Sequence, residues 1–420
     1  MRTVFDIPFL TDDIPGTGGE IKREIEDFLV EERPLYEPCG EGEHLYLYIE
    51  KRGISTFEVT RELAEVFQVS PRSVSYAGLK DVKAVARQYV CVPGGDEGRL
   101  ETREFEKFRI LDLSRHTNKL RTGHLRGNYF RVRVRGVEPA DVPRAREILD
   151  VLARRGAANF YGPQRFGSHG RNALFGRALL KGRYRRGIQA VFAPCSAEEG
   201  TGVHQARLYA WEGRYNRSLR LFPPSFVPER NLAIALRDAA VEIWGGEILS
   251  KGAYRRLLRR VPKRYLEFYV SALQAHLFNE VLKRRYRELD RLMEGDYAYI
   301  HGKGAVFLVE DPAAEQARVD RLEISPSGPI FGYKVPLAKG APGEIEWGVL
   351  HKAHITLGQF HMKIGLKNKG VRRPLRVPVT EVSLEETEDG FTAGFFLPKG
   401  SYATTVMREI IKPAGWEEMV

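Results

Sequence analysis

Strict alternation of apolar and polar side chains over residues 44–51 predicts a strand with one buried face. Leu45, Leu47 and Ile49 fall on that face, and Tyr46 and Tyr48 on the other. A helix is predicted next, because apolar residues then recur at helical spacing, at Val59, Leu63, Val66 and Phe67. Ser55 or Thr56 is placed to cap this helix, and we expect Ser70-Pro71 to stop it.

The clearest predicted strand covers residues 128–136. Its apolar face consists of Phe130, Val132 and Val134. Its other face is a row of cations about 7 Å apart, formed by Arg131, Arg133 and Arg135. A helix follows, opened by Asp141 and Pro143 and closed by Gly156. Because strands and helices interleave, we expect the N-terminal part to be α/β or α+β.

The sequence changes character after residue 180. A basic, glycine-bounded junction, KGRYRRG, occupies residues 181–187, and longer helical patterns follow, notably over 263–287. Residues 325–344 are expected to be rich in loops, and strand-like alternation returns only near 376–396. We therefore predict a first domain over 1–184, an inserted domain over 185–378, and a return to the first domain over 379–420.

Length and composition indicate a folded, cytoplasmic protein of more than one domain. The chain has 420 residues, of which 43% are hydrophobic and 29% are charged. Its apolar runs fall far short of the roughly 20 residues that span a bilayer, and the N-terminus shows no signal peptide, so no membrane partner is expected. The cysteines, Cys39, Cys91 and Cys195, form no CxxC pair, which favours a reducing cytosol.

The sequence offers no pattern for a metal or a nucleotide cofactor. His351 and His354 are the closest histidine pair, and no third ligand lies near them in sequence. The glycine-rich segment 15–20, PGTGGE, matches neither GxGxxG nor a P-loop and is expected to be a flexible loop. No GxSxG is present, and the oligomeric state is not readable from these patterns.

The net charge of +11 bears on the partner of the protein. A polyanion is one candidate, because cations bind it with release of counterions. A thermophile-style surface rich in arginine and glutamate is the other explanation, and overall charge leaves both open. Cations mix with aromatic residues in four segments, which favours RNA, since phosphates need cations and unstacked bases need stacking partners. These segments are 115–135, 181–186, 254–260 and 363–376.

The candidate chemistry lies in residues 75–88, SYAGLKDVKAVARQ. By itself this is a glycine turn followed by an exposed Lys80-Asp81 pair, and such pairs are usually just solvated. The block nevertheless resembles the catalytic motif of the TruD family of tRNA pseudouridine synthases, whose essential aspartate matches Asp81. Further blocks resemble the same family in the same order, at 21–28, 40–44, 118–130, 159–167, 325–333 and 395–409.

This resemblance implies a fold and a set of site residues. The fold would be α+β, with a pseudouridine synthase catalytic domain built on a mixed, mainly antiparallel sheet and an inserted α/β TRUD domain. Asp81 would be catalytic, with support from Lys22, Lys80, Asn159, Tyr161 and Gln164. Lys22 would lie beside Asp81 and keep it ionised. Asn159 and Tyr161 would line the uridine pocket, where many relatives carry Phe in place of Tyr161.

RNA-binding residues are expected in the basic blocks that match the family. They are Arg115, Lys119, Arg121, Arg126, Arg131, Arg133, Arg165 and Lys399. The usual substrate of the family is uridine 13 in the D-arm of tRNA, so tRNA is the expected partner. The length of the chain and the tyrosine at position 161 look closer to the archaeal branch of the family.

The implied reaction is an isomerisation of uridine to pseudouridine, which needs no cofactor. The uracil leaves C1′ of the ribose, turns, and reattaches through C5, so nothing is oxidised and no group is imported. The target uridine must leave its stack to reach Asp81, which we expect to be buried. Asp81 would act either as a nucleophile or as a base that removes the C2′ proton, and the sequence leaves both open.

Two other classes of function compete with this enzyme. A non-catalytic RNA-binding or RNA-chaperone protein would bind RNA in a salt-dependent way without modifying any base. A basic protein that does not touch RNA would have no RNA affinity to lose with salt. The intact GLKD block around Asp81 argues against the non-catalytic RNA-binding protein.

Overall fold

The computed structural model describes residues 6–101, 103–167, 170–194, 201–244 and 249–414. Cys195 lies outside the described residues. Contacts divide the chain into two compact units. The sheet unit comprises Phe9–Asn159 and the C-terminal segment that begins at Arg376, and the insert unit consists mainly of Phe160–Leu375. The predicted insertion over 185–378 stays a prediction, and residue 185 falls inside a helix of the insert unit.

The described elements follow one another in a mixed order. The strands are β1 (Phe28–Pro34), β2 (His44–Arg52), β3 (Ser75–Tyr76), β4 (Val85–Pro93), β5 (Phe108–His116), β6 (Leu125–Arg135), β7 (Ala157–Ala158), β8 (Tyr297–Ile300), β9 (Val306–Leu308), β10 (Ile324–Ile330), β11 (Val371–Pro374), β12 (Arg376–Val377), β13 (Thr380–Thr387) and β14 (Gly390–Pro398). The helices are α1 (Thr56–Phe67), α2 (Val142–Arg155), α3 (Arg171–Leu180), α4 (Tyr184–Phe192), α5 (Thr201–Trp211), α6 (Tyr215–Leu221), α7 (Val227–Asp238), α8 (Lys251–Leu258), α9 (Lys263–Arg285), α10 (Pro312–Asp320), α11 (Gly340–Ala353) and α12 (Ala403–Ile411).

An eight-stranded sheet forms the core of the sheet unit. Its order is β13-β14-β6-β1-β4-β2-β5, and β3 pairs with β4 beside this path. The β1–β4 pair is parallel, and the other pairs of this sheet are antiparallel. The prediction of an α+β fold on a mixed, mainly antiparallel sheet is therefore confirmed.

The strand register assigns side chains to two faces of this sheet. Residues directly opposite each other on neighbouring strands share a face. One such row crosses five strands: Leu397 on β14, Asn128 on β6, Glu32 on β1, Gln88 on β4 and Ile49 on β2. We call this the inner face, because α1 packs Val59, Leu63 and Phe67 against its apolar residues Leu45, Leu47, Ile49, Val90 and Val92. The opposite side, which carries Arg131, Arg133 and Arg135, is the outer face.

Helix α1 begins as predicted, with Ser55 at the N-cap. The Ser55 side chain accepts from Glu58 N, and the Glu58 carboxylate accepts from Ser55 N in return. The helix ends at Phe67, before Ser70-Pro71, because Gln68 adopts a left-handed backbone with φ of 55°. Helix α2 ends at Gly156, as predicted, and buries Ala145, Ile148, Leu149 and Leu152.

Strand β2 differs from its prediction because both of its faces are covered. Tyr46 is buried against Cys91, Leu120 and Leu125. Its hydroxyl donates to Asn118 O at 2.8 Å, so the loop after β5 covers the tyrosine side at this end of the sheet. Alternation in β2 therefore separates aliphatic from aromatic side chains rather than buried from exposed ones.

In the insert unit, the prediction of a loop-rich stretch over 325–344 is wrong at both ends, since α11 begins at Gly340. Residues Ile324–Ile330 form β10, the second strand of a four-stranded sheet with order β11-β10-β8-β9. Nearly every residue of β10 is buried, so the strand shows no alternation, and Pro326 and Pro329 mimic a loop. The strands β8, β9 and β11 have at most four residues each, too few for a pattern to emerge.

Helix α9 lies at the centre of the insert core, where Tyr269, Leu273 and Leu277 join the largest apolar cluster of this unit. No helix among the described residues has both the length and the hydropathy needed to cross a bilayer.

Candidate active site

Asp81 lies in the loop that joins β3 to β4, and the backbone of this loop is held at several points. Lys80 N donates to Thr56 Oγ1 at 3.2 Å, and Gln88 Nε2 donates to Gly78 O at 3.4 Å. Thr56, in the first turn of α1, also donates its hydroxyl to Gln88 Oε1 at 3.0 Å. These bonds fix a loop that would otherwise be free to move, which keeps the position of the carboxylate well defined.

Lys22 is the cation that reaches the Asp81 carboxylate. Its Nζ lies 3.3 Å from Asp81 Oδ2 and 4.5 Å from the centre of the Phe28 ring. Lys22 has a left-handed φ of 60°, which is unfavourable for a residue with a side chain. The contact predicted between Lys22 and Asp81 is thus present, held by a backbone conformation that the surrounding structure must enforce.

Lys80 turns away from Asp81 into the sheet. Its Nζ lies 2.5 Å from Glu32 Oε2, and the two side chains are only 4% and 1% exposed. Glu32 Oε1 also accepts from Tyr89 N at 3.4 Å. Adjacent side chains in an extended loop diverge, so Lys80 anchors the loop to β1 while Asp81 faces outward. Its part in the site is to hold the loop, and Glu32, which we did not predict, is its partner.

Lys51 is a second site residue that the sequence interpretation missed. Its side chain is fully buried, and Nζ donates to Ile54 O and to Asp81 O, both at 2.7 Å. Burial lowers the pKa of Lys51 to about 8, and the nearby Asp81 opposes this shift. The signal was present in β2, because strict alternation puts residue 51 on the same face as Leu45, Leu47 and Ile49.

Next to this loop, the inner face carries an amide and a group of phenyl rings. Asn128 is paired with Glu32 of β1, and its Oδ1 is buried with no hydrogen-bond partner among the described residues. Phe130 lies two residues further along β6, with its ring 5.9 Å from that of Phe28 and 5.8 Å from that of Phe395. A buried acceptor without a partner favours a ligand with an N–H group at this position.

Asp81 itself is less buried than we expected. Its side chain is 45% exposed, so the prediction of a buried carboxylate is wrong for the free protein. The reason is the short reach of aspartate from an exposed loop, in which Leu79 and Val82 on either side are 58% and 48% exposed. Exposed aliphatic side chains around a carboxylate leave room for a ligand to cover both.

Several predicted RNA-binding residues lie near the Asp81 loop. Gly123 N donates to Ala77 O at 2.8 Å, which ties the loop that carries Lys119 and Arg121 to the start of the Asp81 loop. Lys399 Nζ donates to Gly123 O at 3.0 Å, and Lys399 N donates to Arg126 O. Arg126 is the residue that the pairing of β6 with β1 skips, between Gly127 opposite Arg33 and Leu125 opposite Pro34.

The predicted row of arginines on β6 lies on the outer face, away from Asn128 and Phe130. Arg131 pairs with Glu385 at 2.9 Å, and Arg135 pairs with Asp27 at 2.7 Å. Arg115 on β5 pairs with Glu97 at 3.0 Å. A role of Arg131, Arg133 and Arg115 in RNA binding stays a prediction, and carboxylates already compensate two of these three charges.

The predicted pocket residues after β7 fall in different units. Asn159 is buried at the end of the first segment of the sheet unit, whereas Tyr161, Gln164 and Arg165 belong to the insert unit. Tyr161 N donates to Asn279 Oδ1 at 2.9 Å, and Asn279 Nδ2 donates back to Tyr161 O at 3.0 Å.

The Tyr161 ring is flanked by cations within the insert unit. The guanidinium of Arg373 lies 4.3 Å from the ring centre and that of Arg165 lies 5.7 Å from it, while Gln164 is exposed. The predicted role of Tyr161 in stacking on uridine stays a prediction, as do the roles of Asn159 and Gln164.

No group of three or more His, Cys, Asp or Glu side chains in the described part of the chain could hold a metal ion. The rings of His351 and His354 lie 6.4 Å apart in the insert unit.

The sequence and the fold were compared with those of known proteins. A protein of Geobacter metallireducens named tRNA pseudouridine synthase D is 42% identical over 404 residues, which are 96% of this chain and 97% of that protein. A protein of the same name from Thermus thermophilus is 38% identical over 96% of this chain and 92% of its own length. A crystal structure assigned to tRNA pseudouridine synthase D of Methanosarcina mazei superposes with a TM-score of 0.81 at 28% identity, covering 100% of this chain and 98% of that one.

The fold is thus that of the pseudouridine synthases, with the Asp81 loop set on their mixed sheet. Within that class, the chain belongs to the tRNA pseudouridine synthase D (TruD) family, whose sequence model matches residues 5–410. The predicted affinity with an archaeal branch gains no support, since the Methanosarcina mazei protein is less similar in sequence than the two relatives named with it.

Proposed function

We propose that this protein is an isomerase that converts uridine to pseudouridine in tRNA, that Asp81 is its catalytic residue, and that uridine 13 of the D-arm is its target. The observation that carries the proposal is the Asp81 carboxylate held 3.3 Å from Lys22 on a loop whose backbone is fixed by Thr56, Gln88 and Lys51. Family membership supports the reaction and the tRNA substrate.

In this reaction the N1–C1′ bond of uridine breaks and a C5–C1′ bond forms, while the C5 proton is lost and N1 gains a proton. A positioned carboxylate can start it in two ways. It can attack the substrate as a nucleophile, or it can take the C2′ proton while positive charge develops at C1′. Both routes require the carboxylate form of Asp81, and the Lys22 ammonium lies 3.3 Å from that carboxylate.

The surroundings of Asp81 fit a uridine that has left its stack. The unpartnered Asn128 Oδ1 would accept from the N3–H of the base, and the exposed Leu79 and Val82 would contact its apolar surface. Unstacking costs a few kcal/mol, which phosphate contacts from the nearby Arg121, Arg126 and Lys399 would offset. Binding would also cover Asp81, which lowers the local dielectric around the reacting groups.

The direct test is Asp81→Asn, with Asp112→Asn as the matched control on exposed strand β5. Pseudouridine in tRNA is measured by site-mapped sequencing, and tRNA affinity by filter binding. We expect Asp81→Asn to lose turnover by at least about 10³-fold with affinity within a few-fold of wild type, and Asp112→Asn to keep both. Retained turnover in Asp81→Asn would exclude Asp81 as the catalyst.

The same sequencing identifies the target. A single new pseudouridine at position 13 is expected when the purified protein is mixed with unmodified tRNA. Modification at another position only would refute the assignment of the target and leave the reaction intact.

A further inference from the structure

A basic depression lies in the insert unit, at the junction KGRYRRG. The reaction proposed for Asp81 gives the residues of this junction no role. Its volume is about 440 Å³. Four of its eight lining residues are cations, and none is an acid. The lining consists of Gly182, Arg183, Tyr184, Arg185, Arg186, Leu249, Lys251 and Tyr254.

Two helices begin at this depression. Residues 183–186 are the N-cap and first turn of α4, where the N-cap Arg183 offers no side-chain cap. Lys251 is the first residue of α8, which Ser250 caps. The free N–H groups of the first turn of α4 add partial positive charge to that of the four cations, so the depression is suited to an oxyanion.

The positive charges of this depression have no acidic partners within the described part of the chain. Among the described residues, no carboxylate lies within ion-pair distance of Arg183, Arg185, Arg186 or Lys251. Other exposed arginines of the insert unit do have such partners, for example Arg214 with Glu212 and Arg321 with Glu323. A surface that is basic only because it is rich in both signs of charge would pair these cations as well.

The arrangement favours contact with phosphate over contact with bases. Arg183, Arg186 and Lys251 are exposed, whereas the two aromatic residues, Tyr184 and Tyr254, are 7% and 4% exposed and cannot offer their rings for stacking. Cations without an available aromatic surface bind the sugar-phosphate backbone without reading its sequence.

We propose that this depression is a second RNA site, which binds backbone phosphates of the tRNA and so adds affinity without taking part in the chemistry. The proposal rests on the proposed function for the identity of the RNA. The site belongs to the insert unit, and its contribution is expected to be independent of sequence and steeply dependent on salt.

The test compares two triple variants of the full-length protein. One is Arg183→Gln, Arg186→Gln and Lys251→Gln. The control is Arg214→Gln, Arg237→Gln and Arg321→Gln, which removes the same charge from exposed, acid-paired positions of the same unit. Unmodified tRNA is titrated at several salt concentrations, and pseudouridine formation is followed in single turnover at saturating tRNA.

The site variant is expected to bind tRNA on the order of tenfold more weakly than wild type. The slope of log affinity against log salt concentration should also be smaller in magnitude by about two to three. The control is expected to match wild type, and both variants should keep the saturating single-turnover rate. The proposed site would be refuted if the two variants had equal salt slopes, or if both lost tRNA affinity to the same extent. If wild type binds tRNA with the expected slope but forms no pseudouridine, the site stands and the proposed function fails.

Discussion

Three lysines surround Asp81, and each is held in a different way. Lys22 reaches the carboxylate, Lys80 is neutralised by Glu32, and Lys51 binds two carbonyl oxygens. Lys51 is the unusual one, because its buried ammonium has no carboxylate within ion-pair distance among the described residues. Its charge is balanced mainly by the polarity of the carbonyls and by Asp81 nearby.

The lowered pKa of Lys51, about 8, makes a prediction about pH. The ammonium is present below that pH and lost above it, so the rate constant for pseudouridine formation should fall as the pH rises through about 8. Lys51→Met should reduce that rate constant about tenfold or more at pH 7, because the Asp81 backbone loses its anchor, and should remove this inflection. Lys83→Met, on the exposed part of the same loop, is the control.

The stability of the protein should depend on the protonation of Lys51 in the opposite sense, rising as the pH rises. The folded state binds the Lys51 proton less tightly than the unfolded state does, so this group destabilises the fold below pH 8. That penalty should be relieved as the pH rises from about 8 towards 10.5, the ordinary value. Denaturant titrations at several pH values measure it, and an identical pH dependence in wild type and Lys51→Met would contradict the assignment.

Cys39 gives a prediction that concerns a thiol on the surface. His116 Nδ1 lies 2.9 Å from Cys39 Sγ, and this hydrogen bond lowers the pKa of the thiol to about 7. Alkylation of Cys39 by iodoacetamide should therefore rise with pH to half its maximum near 7. Buried Cys91, whose pKa is raised by burial, should stay unmodified in the folded protein, and His116→Ala should move the Cys39 profile to higher pH.

At the scale of elements, the start of α1 links the helix to the site. Thr56 Oγ1 both accepts from Lys80 N and donates to Gln88 Oε1, so the first turn of α1 supports the Asp81 loop. A helix start is well suited to this, since its cap fixes the local backbone through the Ser55–Glu58 box.

Thr56→Val should leave a buried N–H and a buried amide oxygen without partners. We expect a loss of about 1–3 kcal/mol in the free energy of unfolding together with a lower rate of pseudouridine formation. Thr60→Val is the matched control on the same helix. Among the described residues, the Thr60 hydroxyl donates only to Phe57 O, one turn back. Denaturation curves and single-turnover assays measure both, and equal effects of the two substitutions would argue against a special role for Thr56.

Local pattern was sufficient to predict α1, β6 and α2, because each is amphipathic. It also predicted the position of β2, although both faces of that strand are covered. The Asp81 loop came from its resemblance to a family motif, and its contact with Lys22 was part of that resemblance. The alternation in β2 also places Lys51 on the buried face of that strand. We did not predict its burial, because its side chain is charged.

Other features depend on pairing between distant segments and leave no local signal. Glu32 meets Lys80 across 48 residues, and Arg131 meets Glu385 across 254. Strand β10 is buried on both faces and so lacks the alternation that marks a half-buried strand. The acidic partners of Arg131 and Arg135 on the outer face likewise lie far away in the sequence, at Glu385 and Asp27.

At the scale of the whole molecule, the net charge is +11. Some of the cations form ion pairs with carboxylates, and others are left to attract an anionic partner. We expect tRNA affinity to fall steeply between about 50 and 200 mM salt, because several phosphates are neutralised at once. Filter binding with unmodified tRNA measures this. A flat response would favour a basic protein that does not bind RNA, and a steep response without base modification would favour a non-catalytic RNA-binding protein.

The order of segments along the chain has a consequence for biosynthesis. Strand β6 is made long before β14, which pairs with it along nine residue positions. Until then, β6 has one unsatisfied edge, and the side chains that Phe395 and Leu397 later cover are open to unwanted pairing. The nascent sheet should therefore depend on chaperones until β14 has been made, while the intervening segment is free to fold first.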